Sequence, residues 1–282
     1  MTLFGVPSDH LSTRITSLLP RSILNFGLES LVTLQYGDLG KYGLKPSHHF
    51  MEAHPTVNSD ILNRINSGKI IVKPNITHFT ESSVYFEDGT NQEIDAVIYC
   101  TGYTISHPFL DSQKYLGQTE CDPSRVSLYK HIFSIKYPSL AFIGLVQPFG
   151  AIMPVSEMQA RWVARIFSNQ GPPLPSKQEM RDECDREWLI QCKRFIPRER
   201  HTIEVEYVAY MDMIASLVGC QPDLWALWMS NWSLAAAVTF GPTVPSQYRL
   251  RGPGSWKDAE ITILEACKGY DFQSLFSKKE KE

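Results

Sequence analysis

The chain has 282 residues, 43% of them hydrophobic and 20% charged, with a formal net charge of −3. That is a globular composition, long enough for one large domain or two smaller ones, and its near-neutral balance argues against a nucleic-acid footprint, which usually needs a basic face. The cysteines at 100, 121, 184, 192, 220 and 267 form no C-x-x-C pair, which argues against structural zinc and for a reduced intracellular setting.

The opening MTLFGVPSDH lacks the basic start and continuous apolar stretch of a signal peptide. Up to about Gly68 the pattern predicts short helical pieces and turns, with GDLGKYG as a turn, because it lacks the preceding strand and spacing of a phosphate loop. The adjacent His48 and His49 read as exposed loop residues, and no metal site is expected. From Lys69 the period changes to two. KIIV, ITHFT, SVYF and IDAVIY read as four strands, with Asp88-Gly89 as a hairpin turn. Ala96 to Cys100 is rich in β-branched and aromatic residues, as a strand buried on both faces would be. It stops at Thr101-Gly102, and strand ends of this kind are where ligands sit in open α/β sheets.

After a turn-rich loop, LAFIG (140–144) predicts a further buried strand, and Val155 to Phe167 a helix. Pro172, Pro173 and Pro175 mark a hinge. Ser176-x-x-Glu179 is a capping box opening a helix to about Phe195. More helix is predicted over Glu204 to Leu217 and Asp223 to Phe240. The last of these is uncharged from Leu224 but too short, and broken at Ser230-Asn231, for a membrane span. Trp225, Trp228 and Trp232 share one helical face, either core or an interfacial surface. The sequons at Asn75 and Asn231 read as chance matches.

Five stretches in this order resemble the back half of flavin-containing monooxygenases, in register over about residues 4 to 260. They are YGLKPSHHFMEAHPTVNSDILNRI, VKPNITHFTESSVYFEDGT, DAVIYCTGY, LAFIGLVQPFGAIMPVSEMQARW and GPTVPSQYRLRGPGSW. The resemblance implies FAD and NADPH as cofactors, and oxygenation of soft nucleophiles such as tertiary amines and sulfides through a hydroperoxyflavin. The cofactor then carries the chemistry, so no catalytic side chain is expected from the protein. The implied fold is α/β, a partial two-dinucleotide-binding-domain flavoprotein. Residues 1–68 would form a helical insertion, 69–103 the returning part of the NADPH domain, and 104–213 the returning part of the FAD domain. Residues 214–282 would form a C-terminal helical, membrane-associated region.

Carried onto this sequence, the resemblance places Thr101 and Gly102 where the NADPH domain hands back to the FAD domain. Gln147 falls beside flavin and nicotinamide, where a carboxamide can both donate and accept. Gly144 and Gly150 permit close approach of a ring. The His54–Asn58 signature is expected to fix a domain junction. The family's endoplasmic reticulum association implies a membrane partner, although SKKEKE replaces the usual terminal anchor and leaves a cytoplasmic location open. Cys100 stands where the family has alanine, and neither of the family's two G-x-G-x-x-G fingerprints occurs. The expectation is therefore weak flavin binding and no activity for the chain alone. The alternative is a non-catalytic truncated isoform that meets membranes or forms oligomers with full-length relatives.

Overall fold

Thr13 accepts the Thr16 N–H and Thr16 returns the bond, a capping box that opens α1 (Arg14–Ser17). This helix belongs to a computed structural model that describes residues 2–3, 6–7, 12–53, 58, 60–102, 107–117, 125–195 and 202–268. Ahead of α1, β1 (Thr2–Leu3) and β2 (Val6–Pro7) pair antiparallel. Arg14 is buried, with Nη2 and Nε on the Asp212 carboxylate at 2.8 and 3.1 Å and Nη1 on Val238 O at 3.0 Å. Next come α2 (Arg21–Tyr36), two 3-10 turns and α3 (Ile61–Asn66). GDLGKYG is a turn as expected: Asp38 accepts the Gly40 N–H, and Gly43 closes the turn at φ +68°. Residues 54–57 of the HPTVN signature lie outside the described residues.

The period-two region folds into a three-stranded antiparallel meander of β3 (Ile76–Phe79), β4 (Ser83–Phe86) and β5 (Asn91–Glu93). Gly89, at φ +78°, sits in the turn between β4 and β5. Two expected strands are absent. KIIV is coil, and the DAVIY run is coil and exposed rather than buried, with Ile98 85% and Tyr99 75% accessible. A strand exists only beside a neighbour that takes up its backbone groups, and no described residue supplies one here. LAFIG is likewise reduced to a single bridge, Ala141 to Phe133, because the Gly144 N–H turns to a side chain instead of a ladder. The fold is therefore mixed helix and strand. Among the described residues its one parallel pairing joins two-residue strands, so no multi-stranded parallel sheet is formed within them.

Beyond α4 (Ser112–Tyr115), the main core assembles around a hairpin of β6 (Leu128–Tyr129) and β7 (Phe133–Ser134). Lys130 and His131, both left-handed at φ +53° and +58°, make its turn. After β8 (Gln147–Pro148), α5 (Ile152–Phe167) buries Val155, Met158, Gln159 and Trp162, one stripe at helical spacing. Pro154 falls in its first turn, where a missing N–H is no loss, so the helix starts earlier than the apolar pattern alone indicates. Trp162 meets Phe133 edge-to-face at 5.0 Å. Burying such side chains contributes about 1.5–3 kcal/mol each. The proline segment then leads into α6 (Lys177–Arg194), whose Ser176–Glu179 capping box forms as predicted.

Glu204 and Val205 form β9, parallel to β8, so the helix expected from Glu204 begins only at α7 (Tyr207–Val218). That helix packs along α5 and stops at Gly219, φ +85°. The expected long helix to Phe240 is two, α8 (Leu224–Ser230) and α9 (Trp232–Phe240), split at Asn231 with φ −150° and ψ 84°. With α10 (Ala259–Ala266) they enclose a second core of Leu234, Ala237, Val238 and Ile263. The tryptophans are outside it: Trp225 is 77%, Trp228 41% and Trp232 64% exposed, which removes the core alternative.

Candidate functional site

The segment from Gly144 to Gly150 joins the last bridge of the hairpin to α5, and it is pinned at both ends. Gly144, at φ +80°, donates its N–H to Gln159 Oε1 at 2.7 Å. Gln159 Nε2 donates to the Tyr210 hydroxyl at 2.8 Å, and that hydroxyl donates to Lys130 O at 2.7 Å. Further along, Gln147 N–H donates to Ile203 O at 2.7 Å and Phe149 N–H to Val205 O at 3.0 Å. Gly150 has φ +152°, and a Cβ there would come within 2.9 Å of the Tyr207 ring. Only glycine fits that approach.

These bonds use the backbone of Gln147 and leave its half-buried carboxamide without a partner among the described residues. Immediately after Gly150, α5 begins at an Ala151 cap that offers no side-chain bond. The first-turn N–H groups there remain donors, at the positive end of the helix dipole. Phe149 and Gly150 also line a cleft of about 2110 Å³, together with Arg21, Arg194, Glu206 and Tyr207. Arg21 bonds Glu206 at 2.9 Å, and Arg194 pairs with the same carboxylate. Burial pulls the Arg21 guanidinium below its ordinary value, opposed by the charge of Glu52.

Behind the segment, burial pushes the Tyr210 phenol far above its usual range, so it serves as a fixed donor. Burial holds His131 below the ordinary imidazole value. It also works against the Lys130 ammonium, but the bonds to Glu183 and Glu187 prevail and raise it. The Cys184 thiol is pushed up to about 12 by burial.

Gly144, Gln147 and Gly150 thus share one braced segment. Thr101 and Gly102 lie on the exposed coil after the DAVIY run. Among the described residues no hydrogen bond or ring contact links them to it. Gln159 and Tyr210 were not singled out from sequence. The available signal was a glutamine inside the apolar stripe of α5.

The sequence model of a family described as flavin-binding monooxygenase-like matches residues 5–274. The chain belongs to the flavin-binding monooxygenase-like family. Within it, the chain is 42% identical over 268 residues to flavin-containing monooxygenase 5 of Rattus norvegicus, covering 92% of this chain and 49% of that one. It is 41% identical to the Homo sapiens flavin-containing monooxygenase 5, covering 93% and 49%. To dimethylaniline monooxygenase [N-oxide-forming] 2 of Macaca mulatta it is 36% identical, covering 92% and 49%. The chain spans about half the length of these relatives. A solved S-allyl-L-cysteine S-oxygenase from Allium sativum aligns at 27% identity and TM-score 0.42, over 67% of this chain and 41% of that one.

The family implies a flavin, and part of the segment suits one. An unpartnered carboxamide, two glycines and an uncapped helix start fit the edge of a flat ring bearing carbonyl oxygens. The pyrophosphate end finds no glycine fingerprint in this sequence.

Proposed function

We propose that this chain is the ring-end portion of an FAD- and NADPH-dependent monooxygenase acting on soft nucleophiles such as tertiary amines and sulfides. The observation that carries this reading is the braced Gly144–Gly150 segment, with the free Gln147 carboxamide leading into the uncapped start of α5. When bound, the flavin supplies the redox chemistry and the activation of oxygen. The protein's part is to position and to shelter. Gln147 would orient the ring edge or a nicotinamide carboxamide, accepting and donating at once. The α5 N–H groups would favour negative charge on the ring. Gly144 and Gly150 would admit the ring, with Phe149 excluding water. Thr101 and Gly102 would offer backbone to the cofactors from the domain junction. The divisions at 68, 103 and 213 are those of the insertion, the NADPH part, the FAD part and the C-terminal helices.

A chain without a pyrophosphate cradle holds FAD weakly. The test is the absorbance spectrum of the purified chain after gel filtration with excess FAD: little flavin is expected, and stoichiometric yellow flavin would overturn the weak-binding reading. The role of Gln147 is tested in a full-length relative by changing the aligned residue to alanine. Peroxide release should rise severalfold while flavin reduction changes by less than twofold. Unchanged coupling would sink that role.

A second reading, association with a membrane surface such as that of the endoplasmic reticulum, is favoured by the exposed Trp225, Trp228 and Trp232. Among the described residues no helix is long and apolar enough to cross a membrane.

A further inference from the structure

Lys130 and His131 close the β6–β7 hairpin in a conformation that suits glycine or asparagine better than either of them. Both are left-handed, and the turn is shut by Ile132 N–H on Tyr129 O at 3.0 Å. Two strained residues in succession persist only where their surroundings hold them. Lys130 is held twice. Its ammonium binds Glu183 and Glu187 of α6, and its carbonyl accepts the Tyr210 hydroxyl of α7. The His131 ring is not held in this way. Its Nδ1 is buried and, among the described residues, has no hydrogen-bond partner. The ring lies edge-to-face with Tyr210, centroids 6.0 Å apart. It also borders a pocket of about 20 Å³, room for a single water, that Glu187 and Gln191 line as well.

The charges around the imidazole set what a proton would do. Lys130 shares its turn, and Tyr129 precedes that turn on β6. From α6 come Glu183, Glu187 and the Cys184 thiol, while Asp185 is taken by Arg125 of the preceding coil. From α7 comes the Tyr210 phenol. Neutral, the ring leaves both carboxylates to Lys130. Charged, it gains a second N–H and needs an acceptor, and Glu187 is the carboxylate whose charge acts on it. Taking that acceptor sets the ring against Lys130 in a turn already strained, and this turn lends Lys130 O to Tyr210.

We propose that His131 is a proton-operated latch on the Gly144 end of the braced segment: its imidazolium competes with Lys130 for Glu187, the turn yields, and the relay from Lys130 O through Tyr210 and Gln159 releases the Gly144 N–H. Burial disfavours the charged ring, so the latch is closed near neutral pH and opens on acidification. Phe149 is tied separately to Val205, so opening frees one end of the segment and not the other. The latch stands on the geometry of the turn; that it governs access to a flavin ring rests on the functional reading above.

The experiment follows amide exchange of the full chain by NMR at about pH 7 and about pH 5, each site corrected for its intrinsic rate. Protection at Gly144 should fall about tenfold at the lower pH, while Phe149 and Ile214 change by less than about twofold. His131→Asn, which suits a left-handed turn and does not titrate, should keep Gly144 protection level across the range. Tyr210→Phe should leave Gly144 poorly protected at both values, and full protection there would overturn the relay. A fall at Gly144 that persists in His131→Asn overturns the proposal. So does a wild-type fall shared by Phe149 and Ile214, which is loss of the whole fold. Should His131→Asn not fold, the wild-type ring decides: a Gly144 transition with a midpoint away from that of the His131 ring shifts overturns the latch, and a shared midpoint supports it. No flavin enters this readout, so its failure leaves the functional reading standing, and a chain that binds no flavin leaves the latch standing.

Discussion

Gln159 and Tyr210 meet side chain to side chain at 2.8 Å, both buried, and between them they tie Gly144 to Lys130 across the core. The arrangement is high in stakes, because each atom removed strands a buried partner. Tyr210→Phe leaves the Gln159 amide and the Lys130 carbonyl short of a bond and should cost about 1–3 kcal/mol in urea denaturation. Gln159→Leu should cost a similar amount. The double variant should lose clearly less than the sum of the two, since the groups act as one unit. Strict additivity would show that the relay is not coupled.

Asn231 ends one helix and starts the next, its side chain accepting the Leu234 N–H at 3.1 Å and donating to Glu260 at 2.7 Å. Asn231→Ala should destabilise by about 1 kcal/mol, and Asn231→Ser, which keeps a capping acceptor without setting a charge against Glu260, by less. Chemical denaturation followed by tryptophan fluorescence reads both.

His131 is held neutral by burial, opposed by the Glu187 charge and reinforced by Lys130. Its folded pKa lies below the ordinary imidazole value, so the unfolded chain binds the proton more readily. Stability from this group is therefore present above about pH 6.5 and is lost as pH falls toward the lowered folded value. His131→Gln should flatten the decline in melting temperature between about pH 6.5 and 5. A slope identical to wild type would refute the assignment.

Trp225, Trp228 and Trp232 are exposed, so the triple change to serine should stay folded, each substitution moving stability by no more than about 0.5 kcal/mol. Wild-type chain should co-float with liposomes reversibly and the triple variant should remain at the bottom of the gradient. A wild-type chain that never floats would end the membrane reading.

Helices were the most legible part of the fold, because a capping box and an apolar stripe are local. The Ser176–Glu179 box and the stripe of α5 are both where the spacing placed them. Strands were legible only where the partner lies next in sequence, as β3 lies next to β4, whereas β5 at Asn91–Glu93 falls just ahead of the run expected to be a strand. DAVIY carries an equally strong pattern, but its neighbours are not supplied by the described residues. The break at Asn231 was written in its own side chain, which prefers to cap rather than continue a helix. For the site, Gln147 and its two glycines came from resemblance. The brace behind them depends on residues 15 and 51 positions apart, a distance no local pattern reports.

The Arg14 clasp has a consequence for the birth of the molecule. Its guanidinium lies 198 residues from Asp212 and 224 from Val238 in sequence. Synthesis runs from the amino end, so α1 leaves the ribosome long before either partner exists. Until then its arginine stays in water, and the ion pair that anchors the amino-terminal segment cannot form. Such distant closure carries a large loop-entropy cost and places the event late in folding. The docking of α1 is thus a completion signal: a nascent chain halted before residue 238 keeps that segment loose, open to proteases and chaperones alike.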